Sequence, residues 1–293
     1  MESYNKTTES YKNELLIKIK IDECDVNKEI YFLDNTKEEY FENGKDQTQP
    51  HYHNNLDEIT IENTKLFIND NEEKYKKYFI PKSKGIYSIK LCFKFKLTNC
   101  AYMFARCENI TDIDFSLFRT EDVTNMEKMF FCCRNLININ LSFFDTRKVK
   151  NMAAMFCRCG KLIRIDLSSF NTQNVSDMGL MFFRCKSLVK IDASSFNTKN
   201  TNNMERMFDG CEKLKRIDLS SFNTQNVSNM EKMFSNCKNL TILNLSTFVF
   251  LNNSNTKNMF NQCEKLKIIK IDRKFYDIVK QLFKEKYIYF MEI

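Results

Sequence analysis

The stretch RIDLSSFNTQNVSNMEKMFSNCKNL at residues 216–240 decides the fold, because a near twin, RIDLSSFNTQNVSDMGLMFFRCKSL, stands at residues 164–188. The most regular part of both is the motif Met-Phe-x-x-Cys. Seven copies recur every 26 residues without insertion or deletion, and they begin at Met103, Met129, Met155, Met181, Met207, Met233 and Met259. A fixed period of this length indicates supersecondary units that bury their apolar faces against their neighbours.

Each unit changes its apolar period once. A Leu-x-x-Ile-x-Leu segment, such as the one that ends at Leu219, alternates with period 2 and predicts a short strand. A polar Ser-x-Phe-x-Thr turn follows. Met126, Met129, Phe130 and Cys133 are then spaced i, i+3, i+4 and i+7, which predicts a short amphipathic helix. Ser228 and Glu231 have the spacing of a capping box at the start of such a helix.

The consensus D-L-S-S-F-N-T-x-N-V-x-N-M-x-x-M-F-x-x-C-x-x-L resembles the BspA-type leucine-rich repeat family over residues 97–271. That family includes bacterial surface proteins and mycoplasma lipoproteins, and it is also found in protists. The resemblance implies an α/β solenoid of 26-residue strand–turn–short helix repeats with a parallel sheet. It also implies a role in adhesion or protein recognition, with no catalytic residues to carry over.

The repeat motif itself predicts a structural core. Its apolar side chains are expected to face inward as packing residues and not to form a cofactor site. The residues assigned to this core are Met129, Phe130, Cys133, Met155, Phe156, Cys159, Met181, Phe182, Cys185, Met207, Phe208, Cys211, Met233, Phe234 and Cys237.

Two further segments flank the repeats. Residues 1–96 form a small β-rich domain with strands predicted near 15–21, 29–33, 65–68 and 86–95. Residues 35–57, rich in Asn, Glu, Asp and Gln, are predicted to form a loop. Residues 272–293 are predicted to cap the open end of the repeats with one helix and a last strand.

Composition excludes several protein classes. The 293-residue chain is 43% apolar and 28% charged, which indicates a globular protein and not a disordered one. No stretch is long and apolar enough to span a membrane, and the first residues lack the features of a secretory signal. Seven of the twelve cysteines occupy the apolar repeat position, so we expect reduced, buried thiols. These features predict a cytoplasmic, monomeric protein, with a cell-surface location as the alternative.

No arrangement of residues predicts catalysis or a bound cofactor. The only histidines, His51 and His53, lie in the predicted loop, and two alternate loop histidines do not by themselves predict a metal site. The five glycines are scattered and form no phosphate-binding loop. The repeats also supply no partner base for a cysteine nucleophile. We therefore expect no enzyme, cofactor or metal.

Two columns of residues on the predicted sheet face are candidates for partner binding. If Leu and Ile point inward, the residues between them face solvent, and variation there within a fixed frame would encode a partner. Alternatively, the cations and aspartates neutralise one another between strands, or the aspartates bind turn amides. The candidate residues are Arg164, Lys190 and Arg216 in one column and Asp166, Asp192 and Asp218 in the next.

The charge of the repeats permits a second kind of partner. Residues 97–293 hold 29 Lys or Arg and 20 Asp or Glu, so this part of the chain is net basic. A basic repeat region could contact nucleic-acid phosphates. The cations are nevertheless mixed with acids and lack interleaved aromatic residues for base stacking. The sequence therefore favours a protein partner, with a surface adhesin and a nucleic-acid-binding protein as alternatives.

Overall fold

A five-stranded antiparallel sheet forms the N-terminal part of the molecule. The computed structural model of the protein describes residues 13–35, 56–251, 253–283 and 289–292. The strand order in this sheet is β4-β3-β6-β1-β7. The strands are β1 (Asn13–Ile21), β3 (Thr64–Ile68), β4 (Asn71–Glu73), β6 (Gly85–Phe93) and β7 (Ile110–Asp114), and a separate pair consists of β2 (Ile30–Tyr31) and β5 (Tyr78–Phe79).

The strands predicted in the N-terminal part are present, and β1 alternates as its sequence indicates. Side chains of β1 are buried at every second position, from Asn13 to Ile21. His51, His53 and most of the predicted loop at 35–57 lie outside the described residues.

The first repeat is joined to the N-terminal sheet by backbone pairing. β7 lies within the first repeat, and it pairs antiparallel with β1 so that Ile17 opposes Ile113. The buried side chains of both parts belong to one hydrophobic cluster that runs from Leu15 to Val279. The boundary at residue 96 therefore crosses a shared sheet and a shared core, and as a domain boundary it stays a prediction.

Each Met-Phe-x-x-Cys segment is a run of turns, so the predicted short helix is wrong. In every repeat, the residue before the Met and the residue before the Cys have positive φ, as at Ala154 (54°) and Arg158 (62°). An α-helix cannot continue through this left-handed conformation. Ser228 and Glu231 therefore cap no helix. The only α-helix of the described residues is α1 (Tyr276–Gln281), in the predicted C-terminal cap.

Backbone groups that would bond within a helix bond instead to the neighbouring repeat. The amide of Phe130 donates to the carbonyl of Met155 at 2.9 Å, and the amide of Phe156 donates to the carbonyl of Met181 at 2.9 Å. Isolated parallel bridges add further links at a 26-residue offset, such as Asn125 to Asn151. The hydrogen-bonding capacity of the turns is thus satisfied between repeats, as buried backbone requires.

The predicted fold class, an α/β solenoid with one parallel sheet, is wrong. The largest sheet is antiparallel, and helix is nearly absent from the described residues. Among the described residues, parallel pairing between strands is limited to two small sheets, apart from the isolated bridges. One contains β8 (Arg164–Asp166) and β9 (Lys190–Asp192), and the other contains β10 (Ile242–Asn244), β11 (Ile268–Ile271) and β12 (Tyr289–Glu292). Where a repeat lacks a strand, turns and isolated bridges take its place.

The side chains of the repeat motif form the core. All fifteen residues assigned to it, from Met129 to Cys237, are at most 1% exposed. Their phenyl rings lie face to face across repeats, with centroids 5.3 Å apart for Phe130 and Phe156 and 5.7 Å apart for Phe182 and Phe208. Each of the five assigned thiols donates to a carbonyl of the preceding repeat, as Cys185 does to Phe156 at 3.0 Å. The apolar spacing thus gave the buried face correctly, although the backbone is not helical.

Threonine forms a second buried column that links the repeats. The Thr172 hydroxyl accepts from the amide of Asn197 at 2.8 Å and donates to the carbonyl of the same residue at 3.0 Å. Thr146 and Thr198 make the same pair of bonds to the repeats that follow them. The Ser-x-Phe-x-Thr segment, predicted only as a polar turn, therefore contributes to the contact between repeats.

Candidate partner-binding surface

The three candidate cations lie side by side on one exposed face, which we call the strand face. Arg164 begins β8, Lys190 begins β9, and the two residues are paired in parallel register. Arg216 occupies the same position in the next repeat, and all three residues are exposed. Within the described parts of the chain, none of the three has an ion-pair partner within 4.0 Å. We refer to Arg164, Lys190 and Arg216 as the cation column.

The neighbouring aspartates serve the turns that follow the strands. The side chain of Asp166 accepts from the amide of Ser168 at 2.9 Å, and that of Asp218 accepts from the amide of Ser220 at 2.9 Å. Asp192 makes the same contact with Ser194 at 3.2 Å. We refer to Asp166, Asp192 and Asp218 as the Asp column. The sequence left two structural roles open for these aspartates, ion pairing with the cations and binding of turn amides. The geometry of the Asp column is that of turn-amide binding.

These hydrogen bonds stabilise the ionised form of the aspartates. Bonds from the Ser168 side chain and backbone lower the pKa of Asp166. Bonds from the Ser220 backbone and side chain lower the pKa of Asp218 in the same way. Asp166 and Asp218 therefore stay charged through the physiological pH range and set a negative border along one side of the cation column.

An exposed apolar stripe borders the other side of the cation column, and sequence reasoning missed it. Ile137, Ile163 and Val189 each stand directly before a strand-face residue, and they are 45%, 40% and 41% exposed. The amide of Ile163 donates to the carbonyl of Ile137 at 3.1 Å, and the amide of Val189 donates to that of Ile163 at 2.9 Å. We call these three residues the apolar stripe.

A signal for this stripe was present in the sequence. The same repeat position holds Thr111, Lys215, Thr241 and Lys267 in the other repeats. This position is polar in the other repeats, so the core does not need an apolar residue there. Three β-branched apolar residues on consecutive repeats therefore indicate a surface feature. The predicted alternation does not reveal the stripe, because this position lies before the alternating part of the Leu-x-x-Ile-x-Leu segment.

The cysteine thiols of the repeats are buried. Eleven of the twelve cysteines are buried free thiols, and Cys24 is exposed. Burial raises the pKa of Cys159, Cys185 and Cys211 well above the usual thiol range. Across the described ranges, no group of three or more His, Cys, Asp or Glu residues is placed to hold a metal ion.

In the parts of the chain that the structure describes, every helix is too short or too polar to cross a bilayer.

Comparison with known proteins bears on the repeat region. A family model described as "Mycoplasma protein of unknown function, DUF285" matches residues 98–216 and residues 166–274, which together span more than half of the chain. The chain belongs to the DUF285 family. The matched part of this DUF285 protein contains the cation column, the Asp column and the apolar stripe.

Other comparisons give little beyond the family. A solved leucine-rich repeat protein from Bacteroides ovatus is 16% identical and has a TM-score of 0.20, with 59% of this chain and 64% of that chain covered. No curated protein matches the DUF285 chain. The comparisons therefore show the DUF285 family, and they do not show the BspA type.

Proposed function

We propose that this DUF285 protein is a non-enzymatic interaction module that binds a protein partner through its strand face. The observation that carries this proposal is the cation column. Three exposed cations stand on consecutive repeats without an ion-pair partner among the described residues, beside three exposed apolar residues. Exposed cations next to exposed apolar side chains are typical of protein-recognition surfaces.

A protein partner fits this face better than a nucleic acid does. The Asp column lies next to the cation column, so a continuous phosphate backbone would meet three acidic side chains as well as three cations. Base stacking would also require exposed aromatic rings, and the apolar stripe is aliphatic.

The thiols support a proposal for the cellular setting. The repeat-motif cysteines, such as Cys185 and Cys263, donate hydrogen bonds to carbonyl groups, and no disulfide joins any of the twelve cysteines. Free thiols in such number are typical of a reducing compartment, so we propose a cytoplasmic, monomeric protein. The narrower BspA-type relationship, with its surface-adhesin role, is the alternative, and it would require these thiols to survive in an oxidising environment.

The test compares partner capture by three forms of the full chain. The first is the wild type, and the second carries Arg164→Glu, Lys190→Glu and Arg216→Glu. The third is a matched control with Lys150→Glu, Lys199→Glu and Lys257→Glu, three exposed lysines elsewhere in the repeats without an ion-pair partner within 4.0 Å among the described residues. Each triple reverses three charges, so the change in net charge is the same.

We expect proteins cross-linked to the wild type in native extract to be retained by the control triple and lost by the strand-face triple. Equal capture by all three forms would refute the strand face as the binding site. Captured nucleic acid that is released steeply by salt, with no captured protein, would instead favour phosphate contacts. A search for turnover accompanies the capture experiment, and any turnover by the protein would overturn the non-enzymatic assignment.

A further inference from the structure

The cation column and the apolar stripe form one two-sided surface. Ile163 directly precedes Arg164, and Val189 directly precedes Lys190, so a cation and an apolar side chain stand next to each other on successive repeats. The cations extend one repeat further, to Arg216, while the apolar stripe begins one repeat earlier, at Ile137. A ligand that covers this surface must therefore present carboxylates along one line and apolar groups along a parallel line.

The Asp column determines on which side the ligand lies. Because the three aspartates border the cations on the side opposite the apolar stripe, an acidic ligand is repelled from that side. The favourable position for its carboxylates is over the cation column, with the rest of the ligand over the apolar stripe. The face thus specifies both the charge and the lateral placement of the ligand.

The spacing of the repeats selects the conformation of the ligand. Phenyl rings of successive repeats are 5.3, 5.6 and 5.7 Å apart in the core, and paired parallel strands lie about 4.8 Å apart. An α-helix along the same direction presents one side chain per turn, about every 5.4 Å. An extended chain presents side chains on one face only about every 6.7 Å, so over three repeats it would fall out of register.

We propose that the strand face binds an acidic amphipathic α-helix of a partner protein, with its axis running from repeat to repeat. Apolar side chains at i, i+4 and i+7 would cover Ile137, Ile163 and Val189. Carboxylates one turn apart would pair with Arg164, Lys190 and Arg216. This inference rests on the proposed function, and it specifies the chemistry and conformation of the partner segment.

A synthetic peptide tests the proposal on the full chain. The probe is a labelled helix-forming peptide of about 18 residues, long enough for several turns, with leucines at i, i+4 and i+7 and a glutamate after each leucine. A second peptide has the same composition but alternates leucine and glutamate with period 2. Binding is measured by fluorescence anisotropy at two salt concentrations, and vesicles that contain phosphatidylserine form a separate arm.

We expect the helical peptide to bind the wild type and the Lys150, Lys199 and Lys257 control triple equally. The strand-face triple should bind it roughly tenfold or more weakly. Ile137→Asn, Ile163→Asn and Val189→Asn together should also weaken binding. A peptide with lysine in place of glutamate should bind the strand-face triple better than it binds the wild type, a rescue that a misfolded variant could not give.

Three results would overturn the proposal: equal binding of the period-2 peptide, no difference between the strand-face triple and the control triple, or a preference for vesicles over the helical peptide. The same experiments distinguish a failure of the helical ligand from a failure of the proposed function. If partner capture still depends on the cation column while the helical peptide does not bind, only the helical ligand is wrong. If partner capture does not depend on the column either, both proposals fail.

Discussion

Left-handed residues at two positions of every repeat determine the course of the backbone. Of these positions only one is a glycine, Gly210, with φ of 78°. The others carry side chains such as Arg184, whose φ is 56°. A non-glycine residue in this conformation destabilises the folded backbone by about 1–2 kcal/mol. The contacts between repeats must offset that free energy at each of these positions.

Gly210→Ala should reduce stability. A Cβ at residue 210 would lie 3.2 Å from Arg184 Cγ and 3.3 Å from Arg184 Cα, in a positive-φ conformation. We expect a loss of about 1 kcal/mol in the free energy of unfolding, measured with urea. Gly160→Ala is the control, since its Cβ would meet nothing nearer than 4.0 Å and its φ is not positive. It should be neutral or slightly stabilising, and an equal loss for both variants would contradict the role of positive φ.

Thiol reactivity should follow burial. Burial raises the pKa of the column cysteines, so their thiolate forms are suppressed in the folded protein. With a chromogenic disulfide reagent we expect one thiol, that of Cys24, to react in the native protein and all twelve to react after unfolding. Cys24→Ser should remove the native reaction. Fast native reaction of several thiols would mean that the core opens readily.

The Asp column should make stability fall in acid. The folded pKa of Asp166 and Asp218 is depressed, so their contribution is present above the unfolded pKa and is lost as pH falls through the folded pKa. We expect the Tm to decrease as pH falls below about 4. Asp166→Asn with Asp218→Asn keeps a turn acceptor, as Asn140 and Asn244 do in other repeats. This double variant should show a shallower decrease, and an unchanged slope would contradict this assignment.

At the scale of the element, contacts between repeats take the place of secondary structure. The sequence pattern identified the buried residues of each unit, since the spacing of Met126, Met129, Phe130 and Cys133 matches their burial. It did not identify the backbone, because apolar spacing reports which side chains face inward and not where the amides bond. Left-handed residues that are not glycine leave little mark in a sequence, and the helix prediction failed for that reason.

The buried threonines offer a direct test of the contact between repeats. Thr172→Val keeps the shape of the side chain but removes both hydrogen bonds to Asn197. Because the amide and the carbonyl of Asn197 would lose their partner, we expect a loss of roughly 2 kcal/mol in the free energy of unfolding. Thr124→Val is the control, since Thr124 is exposed and its hydroxyl makes only one bond, 3.3 Å long, to Thr98. Equal effects of the two variants would refute the structural role of the column.

At the scale of the whole molecule, inner and outer columns have separate roles. The inner columns of Met, Phe, Cys and Thr connect every repeat, and β1 joins the N-terminal sheet to the first of them. Sequence reasoning selected the cation column because charge varies there within a fixed frame. It missed the apolar stripe because exposure at the start of a strand depends on the turn before it. It also missed the β1–β7 pairing, because long-range pairing leaves no local pattern in the sequence.

The most direct test of this separation is the Tm of the protein with Arg164→Gln, Lys190→Gln and Arg216→Gln, measured by scanning calorimetry at neutral pH. Glutamine removes the three charges without adding repulsion to the Asp column. If the cation column is free for a partner, the Tm should stay within about 2 °C of the wild type, as for surface substitutions. A decrease as large as that caused by Thr172→Val would show that the column holds the repeats together, and it would contradict its assignment as a binding surface.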